Sequence, residues 1–174
     1  NGIPEEILVT KTKHEELNIL FLSNMMKEKG VFVLLDACQI LKDRNFNFHC
    51  HFVGKWSDIS EKGFNRYVDE HQLQENVTAY GAKYGDEKTK FFALADLLVF
   101  PTYYHNECFP LVLLEAMQQK ITCIASDEGG IPDIVDDGNT GYIVPKKDAN
   151  AIADKIEYLY NHPEVNKQLG ENGY

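Results

Sequence analysis

No apolar run in this chain reaches the roughly 18 residues that a membrane-crossing helix requires, and no signal-peptide pattern is present. Cysteine is sparse and unpaired in spacing: Cys38, Cys50, Cys108 and Cys123 lie far apart in apolar surroundings, with no C-x-x-C. Scattered single cysteines of that kind lead to the expectation of buried free thiols in a reducing compartment. Positive charge is also short, since 17 Lys and Arg against 27 Asp and Glu leave a net charge of −10. Such a balance argues against nucleic acid as a general partner. It also means that any phosphate site must rest on local donors. The glycine-rich phosphate loop that opens a dinucleotide-binding unit is missing after the first apolar run, which counts against that class. Internal repeats, low-complexity segments and inner linkers are absent too. The 174 residues therefore form one domain, long enough for a full core.

What the chain does contain is an alternation of strand-like and helix-like segments. Residues 18–22 are a compact apolar run, followed by a loop at 23–30 and a helical spacing of apolar residues over 31–42. Residues 47–53 alternate, with Phe48, Cys50 and Phe52 on one face and His49 and His51 on the other. Two histidines at i and i+2 could hold a metal, but no third ligand accompanies them, so a partly solvated face is expected and no metal. Ser57 or Asp58 is a fair cap for a helix reaching His71, and Asp86 for one reaching Leu94. Further strands are expected at 76–80, 96–100, 121–125 and 141–144, a short helix at 131–136, an Asp148-capped helix to Asn161, and a last helical piece from Glu164. Strands alternating with helices indicate an α/β fold with a doubly wound parallel sheet. Ligands of such sheets bind beyond the carboxyl ends of the strands. The loops at 23–30, 81–85, 101–110 and 126–131 all follow strands and fall on that edge.

The stretch Pro101 to Gln119 stands out chemically. A strand closes at Pro101, a polar loop follows, and Pro110 sits where a helix can begin. From Leu111 to Met117 that helix is apolar almost all round and reads as buried. Glu115 nevertheless lies inside it, and a second acid, Glu107, stands just before the helix. A buried carboxylate is costly unless donors meet it. Between the two acids the helix N-terminus directs free N–H groups and the positive end of its dipole into the same loop. Two acceptors flanking an anion cradle describe a pocket for a ligand with a phosphate and several hydroxyls.

The spacing from Glu107 to Glu115, an E-x7-E pattern, resembles the signature of retaining family-4 glycosyltransferases. Residues 126–135, SDEGGIPDIV, and 137–144, DGNTGYIV, are similar to two further segments of that family, in the same order. Lys29-Gly30 resembles its KG turn, and Asn1-Gly-Ile-Pro4 the linker that enters its second domain. The resemblance covers nearly the whole chain. It implies a Rossmann-like half of a GT-B fold, the C-terminal donor-binding domain, with the N-terminal acceptor half as its partner and absent here. The implied ligand is a nucleoside diphosphate sugar of UDP, GDP or ADP type, without a cofactor or required metal. The implied setting is the cytoplasm, with peripheral membrane association through the absent half.

Carried onto this sequence, the resemblance gives Glu115 the ribose hydroxyls and Glu107 the transferred sugar. The loop Tyr80, Gly81, Ala82 and Lys83 would hold the nucleobase through its backbone. Lys29 would meet the diphosphate, assisted by the helix start at Cys108, Phe109, Leu111 and Val112. There are departures. Asn24 stands where the family has an arginine, Cys108 where it has glycine in the turn, and Lys120 where it mostly has glycine; the last is expected to be exposed and neutral. A non-hydrolysing nucleotide-sugar epimerase shares the two-domain build but would lack the linked 126–144 segments. A catalytically silent nucleotide-sugar-binding or scaffold domain of the same fold is the alternative that Asn24 and Cys108 keep open.

Overall fold

The computed structural model describes residues 16–174; the linker-like Asn1 to Pro4 lies outside them. The described chain runs β1 (Leu17–Leu22), α1 (Val31–Asp43), β2 (Phe48–Val53), α2 (Glu61–Glu70), β3 (Val77–Ala79), α3 (Gly85–Leu94) and β4 (Leu97–Phe100). It continues through α4 (Leu111–Gln118), β5 (Thr122–Ser126), β6 (Gly141–Val144), α5 (Ala149–Asn161) and α6 (Pro163–Gly173). The six strands form one sheet in the order β3-β2-β1-β4-β5-β6, and every pairing is parallel. Strand order reverses between β1 and β4, so the loops after these two strands flank the switch point where a doubly wound sheet opens its ligand crevice.

The near-continuous apolar runs of the central strands follow from burial on both faces. Ile19 and Phe21 of β1 face one core layer with Leu34, Leu35, Cys38 and Leu41 of α1 and the apolar stripe Ile152, Ile156 and Leu159 of α5. Leu20, Leu98, Phe100 and Cys123 face the other layer, built with Phe92 of α3 and Leu113, Ala116 and Met117 of α4. The period-two alternation of each strand thus serves two cores at once.

Helix ends depart from the sequence expectations in instructive ways. Ser60, not Ser57 or Asp58, caps α2, its hydroxyl accepting from Gly63 N–H at 3.0 Å. Asp58 instead accepts from Lys27 N–H at 2.9 Å and ties the β2 loop to the β1 loop. Asp86 lies in the first turn of α3, whose N-cap is Tyr84, and makes no cap bond; its charge still complements the helix dipole. Asp148 does cap α5, accepting from Ala151 N–H at 2.9 Å. The short helix expected over 131–136 is a 3₁₀ turn, Ile131–Asp133.

Lys120 is not neutral. The N–H groups of Lys120 and Ile121 return to Met117 and Ala116, at 2.9 and 3.0 Å, closing α4 in a Schellman turn that needs a left-handed residue. Lys120 takes that conformation at φ 58°. A side chain there costs about 1 kcal/mol relative to glycine. Lys120→Gly is therefore expected to raise the unfolding free energy by that amount, read as a higher midpoint of urea unfolding. An unchanged midpoint would show that the contact of Lys120 Nζ with the Tyr174 ring, 4.7 Å from its centroid, offsets the strain.

Candidate functional site

The β1 and β4 loops are locked together at the switch point. Gly30 has φ +86°, and a Cβ on it would lie 2.2 Å from the carbonyl oxygen of Pro101, so only glycine allows the two backbones to approach this closely. Tyr103 N–H donates to Glu28 C=O at 2.8 Å across the same seam. The 3₁₀ turn Lys27–Lys29 is thereby held against residues 101–103, and the Lys29 ammonium forms an ion pair with the Glu107 carboxylate. Their side chains are only 13% and 10% exposed. The buried Thr102 hydroxyl lies 3.2 Å from the same carboxylate oxygen. Lys29 Nζ also sits 4.7 Å from the Tyr104 ring centroid. A carboxylate so far removed from water is sustained by these donors.

Helix α4 carries the second acid. Pro110 is its N-cap, one position outside the helix. The helix is less buried than its composition suggests: Leu113, Ala116 and Met117 are buried, whereas Leu111 is 46% exposed and Val112 and Leu114 are half-buried. The first-turn N–H groups of Leu111 and Val112 have no partner within the helix and form an anion cradle. One turn on, the Glu115 carboxylate is met by the Lys88 ammonium of α3.

Between these elements lies an open cleft of about 210 Å³, whose lining includes Asn24, Lys55, Ala82, Lys83, Lys88 and Val112. Of the four residues expected to hold a base, Ala82 and Lys83 line it. The Gly81 carbonyl is occupied by Gly54 N–H at 3.0 Å, and Tyr80 N–H by the Phe52 carbonyl at 3.0 Å. The Tyr80 hydroxyl turns inward to His51 Nδ1 at 2.7 Å, and burial pushes its phenol above the ordinary tyrosine pKa.

His51 corrects a further expectation. It is 7% exposed rather than solvated, held by Tyr80 and by the Asn18 side-chain oxygen at 2.8 Å, while His49 meets the Thr78 hydroxyl at 2.7 Å. Among the described residues no group of three metal-ligating side chains occurs. Cys38, Cys50 and Cys123 are buried free thiols as expected, and burial pushes Cys123 up to about 12. Cys108 is exposed instead. It is not among the non-glycine residues with positive φ, so its turn does not require glycine.

The structure thus gathers Asn24, Ala82, Lys83 and Val112 in one cleft, with Glu115 joined to it through Lys88. Glu107 and Lys29 form a second centre on the same edge of the sheet. Cys108, Phe109 and Leu111 are exposed. Sequence reasoning missed Thr102, Lys55 and Lys88. Thr102 could have been found by its place at the carboxyl end of a strand; the two lysines carried no local signal.

A parallel sheet wound in this order, with helices on both faces, is the Rossmann-like α/β domain of the kind found in GT-B glycosyltransferases. The chain matches the family Glycosyl transferases group 1 over residues 3–174 and belongs to it. It is 34% identical to an uncharacterized glycosyltransferase of Methanocaldococcus jannaschii over 99% of this chain and 46% of that protein. It is 28% identical to the capsular polysaccharide biosynthesis glycosyltransferase CapM of Staphylococcus aureus, over 94% of this chain and 42% of that one. The chain therefore spans less than half the length of these relatives. Its fold is shared with HepE of Anabaena, solved in complex with UDP and glucose, at a TM-score of 0.83 and 19% identity over 91% of this chain and 42% of that one.

Proposed function

We propose that this chain is the C-terminal, donor-binding half of a retaining glycosyltransferase that acts on a nucleoside diphosphate sugar. The observation that carries the reading is the pair of lysine-held carboxylates, Glu107 with Lys29 and Glu115 with Lys88, on either side of the α4 N-terminus. Glu115 presents a charged acceptor to two ribose hydroxyls, with Ala82 and Lys83 on the base side of the cleft. Glu107 accepts from hydroxyls of the transferred sugar. The Leu111 and Val112 N–H groups and Lys29 meet the diphosphate. In the reaction the bond from the anomeric carbon to the diphosphate oxygen breaks, and its electron pair leaves with the diphosphate. The acceptor hydroxyl oxygen bonds the anomeric carbon on the same face and passes its proton to the departing diphosphate oxygen. Charge developing on the leaving diphosphate is stabilised by groups already in place, the usual source of rate in such a step.

The acceptor site belongs, on this reading, to the N-terminal half, and the product class to surface polysaccharide or another glycan. We place the enzyme in the cytoplasm, peripheral to a membrane through that other half; among the described residues no helix is long and apolar enough to cross one. The silent-scaffold alternative loses one of its two supports, because Cys108 imposes no left-handed strain.

A screen of the full-length protein against UDP-, GDP- and ADP-sugars tests the reading, with transfer or hydrolysis of one donor class expected. Glu115→Gln should weaken binding of the matching free diphosphate by about 1.5–3 kcal/mol, the worth of hydrogen bonds to a charged acceptor. Glu107→Gln should leave that binding as tight or tighter and act mainly on turnover. Equal diphosphate affinity in wild type and Glu115→Gln would remove the ribose assignment.

A further inference from the structure

Three lysines line the cleft, and two of them face acids: Lys88 pairs with Glu115, and Lys83 lies 4.0 Å from Glu87. Outside its lining, Lys29 pairs with Glu107. Lys55 makes no ion pair among the described residues, although it lines the cleft and its side chain is exposed. An uncompensated ammonium in a concave wall, on a protein of net charge −10, is a local reversal of the surrounding field.

The backbone fixes where that ammonium stands. The β1–β2 ladder pairs Leu22 with Val53 and continues past both strand ends. Ser23 N–H donates to the Val53 carbonyl at 3.0 Å, and Met25 N–H to the Lys55 carbonyl at 2.8 Å. Met25 and Trp56 then form a parallel bridge. The same register across this extension sets Lys55 opposite Asn24, and both residues line the cleft. Asn24 contributes only a neutral amide, with weaker donors than a cation. Lys55 on the neighbouring strand supplies the charge that this corner otherwise lacks.

We infer that Lys55 is a phosphate-binding residue of the donor site, meeting the diphosphate of the nucleotide from the β2 side of the cleft. The inference rests on the nucleotide-sugar reading above. Its flexible stem lets the ammonium follow the phosphate as the ligand enters, at an entropic cost that an already paired lysine would add to the breaking of its ion pair.

The test uses the full-length protein and isothermal titration with uridine, UMP and UDP, and with the guanosine and adenosine series. Lys55→Ala, Lys55→Arg, Asn24→Arg and the double variant Asn24→Arg/Lys55→Ala are compared with wild type, with thermal unfolding as a check on folding. Lys55→Ala is expected to lower diphosphate affinity about fivefold, the scale of one charge-assisted contact. Nucleoside affinity should not change, and the salt dependence of diphosphate binding should flatten. Lys55→Arg should keep most of the affinity, and Asn24→Arg should restore it in the double variant. Unchanged diphosphate binding in Lys55→Ala, with Glu115→Gln still weakening it, overturns the role of Lys55 and leaves the donor reading standing. Equal losses for nucleoside and diphosphate also overturn it, because they would report a structural effect. Failure of wild type to bind any of the three diphosphates overturns both.

Discussion

Gly129→Ala is expected to lower transfer by the full-length protein about a hundredfold, the scale of a roughly 1 Å misplacement of a reacting group, and to destabilise it as well. Gly129 has φ +53°, and a Cβ there would lie 1.6 Å from the Glu107 carbonyl oxygen and 2.8 Å from its carbon. Those are backbone atoms of the site itself and cannot swing aside. Next to them, Gly130 N–H donates to the Cys108 carbonyl at 3.0 Å and clamps the same turn. A methyl group at 129 must push the 107–108 peptide away, and with it the carboxylate that Lys29 and Thr102 hold. Left-handed strain and overpacking each cost about 1–3 kcal/mol. Gly138→Ala is the control, for Gly138 has φ +80° with nothing within 4 Å of its virtual Cβ. It should show the backbone strain alone and leave turnover intact. Urea unfolding and kcat/KM of both variants decide the point: matching behaviour would mean that the 129–130 turn does not position Glu107.

That contact explains why the sequence spoke more clearly about the fold than about the site. β1, β2, β4 and β5 are legible because strands buried on both faces become apolar runs, and helices packed on one face keep a 3.6-residue stripe. The acids at 107 and 115 are legible because a carboxylate beside or inside an apolar helix contradicts its surroundings. What satisfies them is not local. Lys29 and Glu107 are 78 positions apart and meet only because β1 and β4 are neighbours in the sheet. Lys88 meets Glu115 only because α3 and α4 cover the same face. Caps failed for a related reason: Asp58 has the chemistry of a cap, but the Lys27 N–H on another loop takes it. Lys120 looked neutral because composition does not reveal φ, whereas the closing hydrogen bonds of α4 impose a left-handed residue there.

Lys29→Ala is expected to lower kcat of the full-length enzyme at least a hundredfold, the range found when one preorganised donor is taken from a developing anion. On the proposed reading Lys29 has two tasks. Its ammonium pairs with a Glu107 side chain that is only 10% exposed, and it stands on the loop proposed to meet the diphosphate. An ammonium has three donors, so it can keep the carboxylate while donating to a phosphate oxygen. In Lys29→Ala both partners lose their cation, and a buried unpaired carboxylate alone costs about 3–5 kcal/mol. Lys29→Arg should recover charge but only part of the rate, because a planar guanidinium pressed against the Tyr104 ring cannot reproduce the geometry of a point charge. The decisive comparison is with Glu107→Gln, which releases Lys29 from its ion pair. Its turnover should fall while diphosphate affinity holds or rises, and the double variant should lose much less than the sum of the two single losses. Strictly additive losses in kcat would mean that the two residues work independently, with the ion pair between them no part of the donor site. A Lys29→Ala enzyme within twofold of wild type in kcat and diphosphate affinity would leave the phosphate to the α4 N-terminus and the lysines of the cleft.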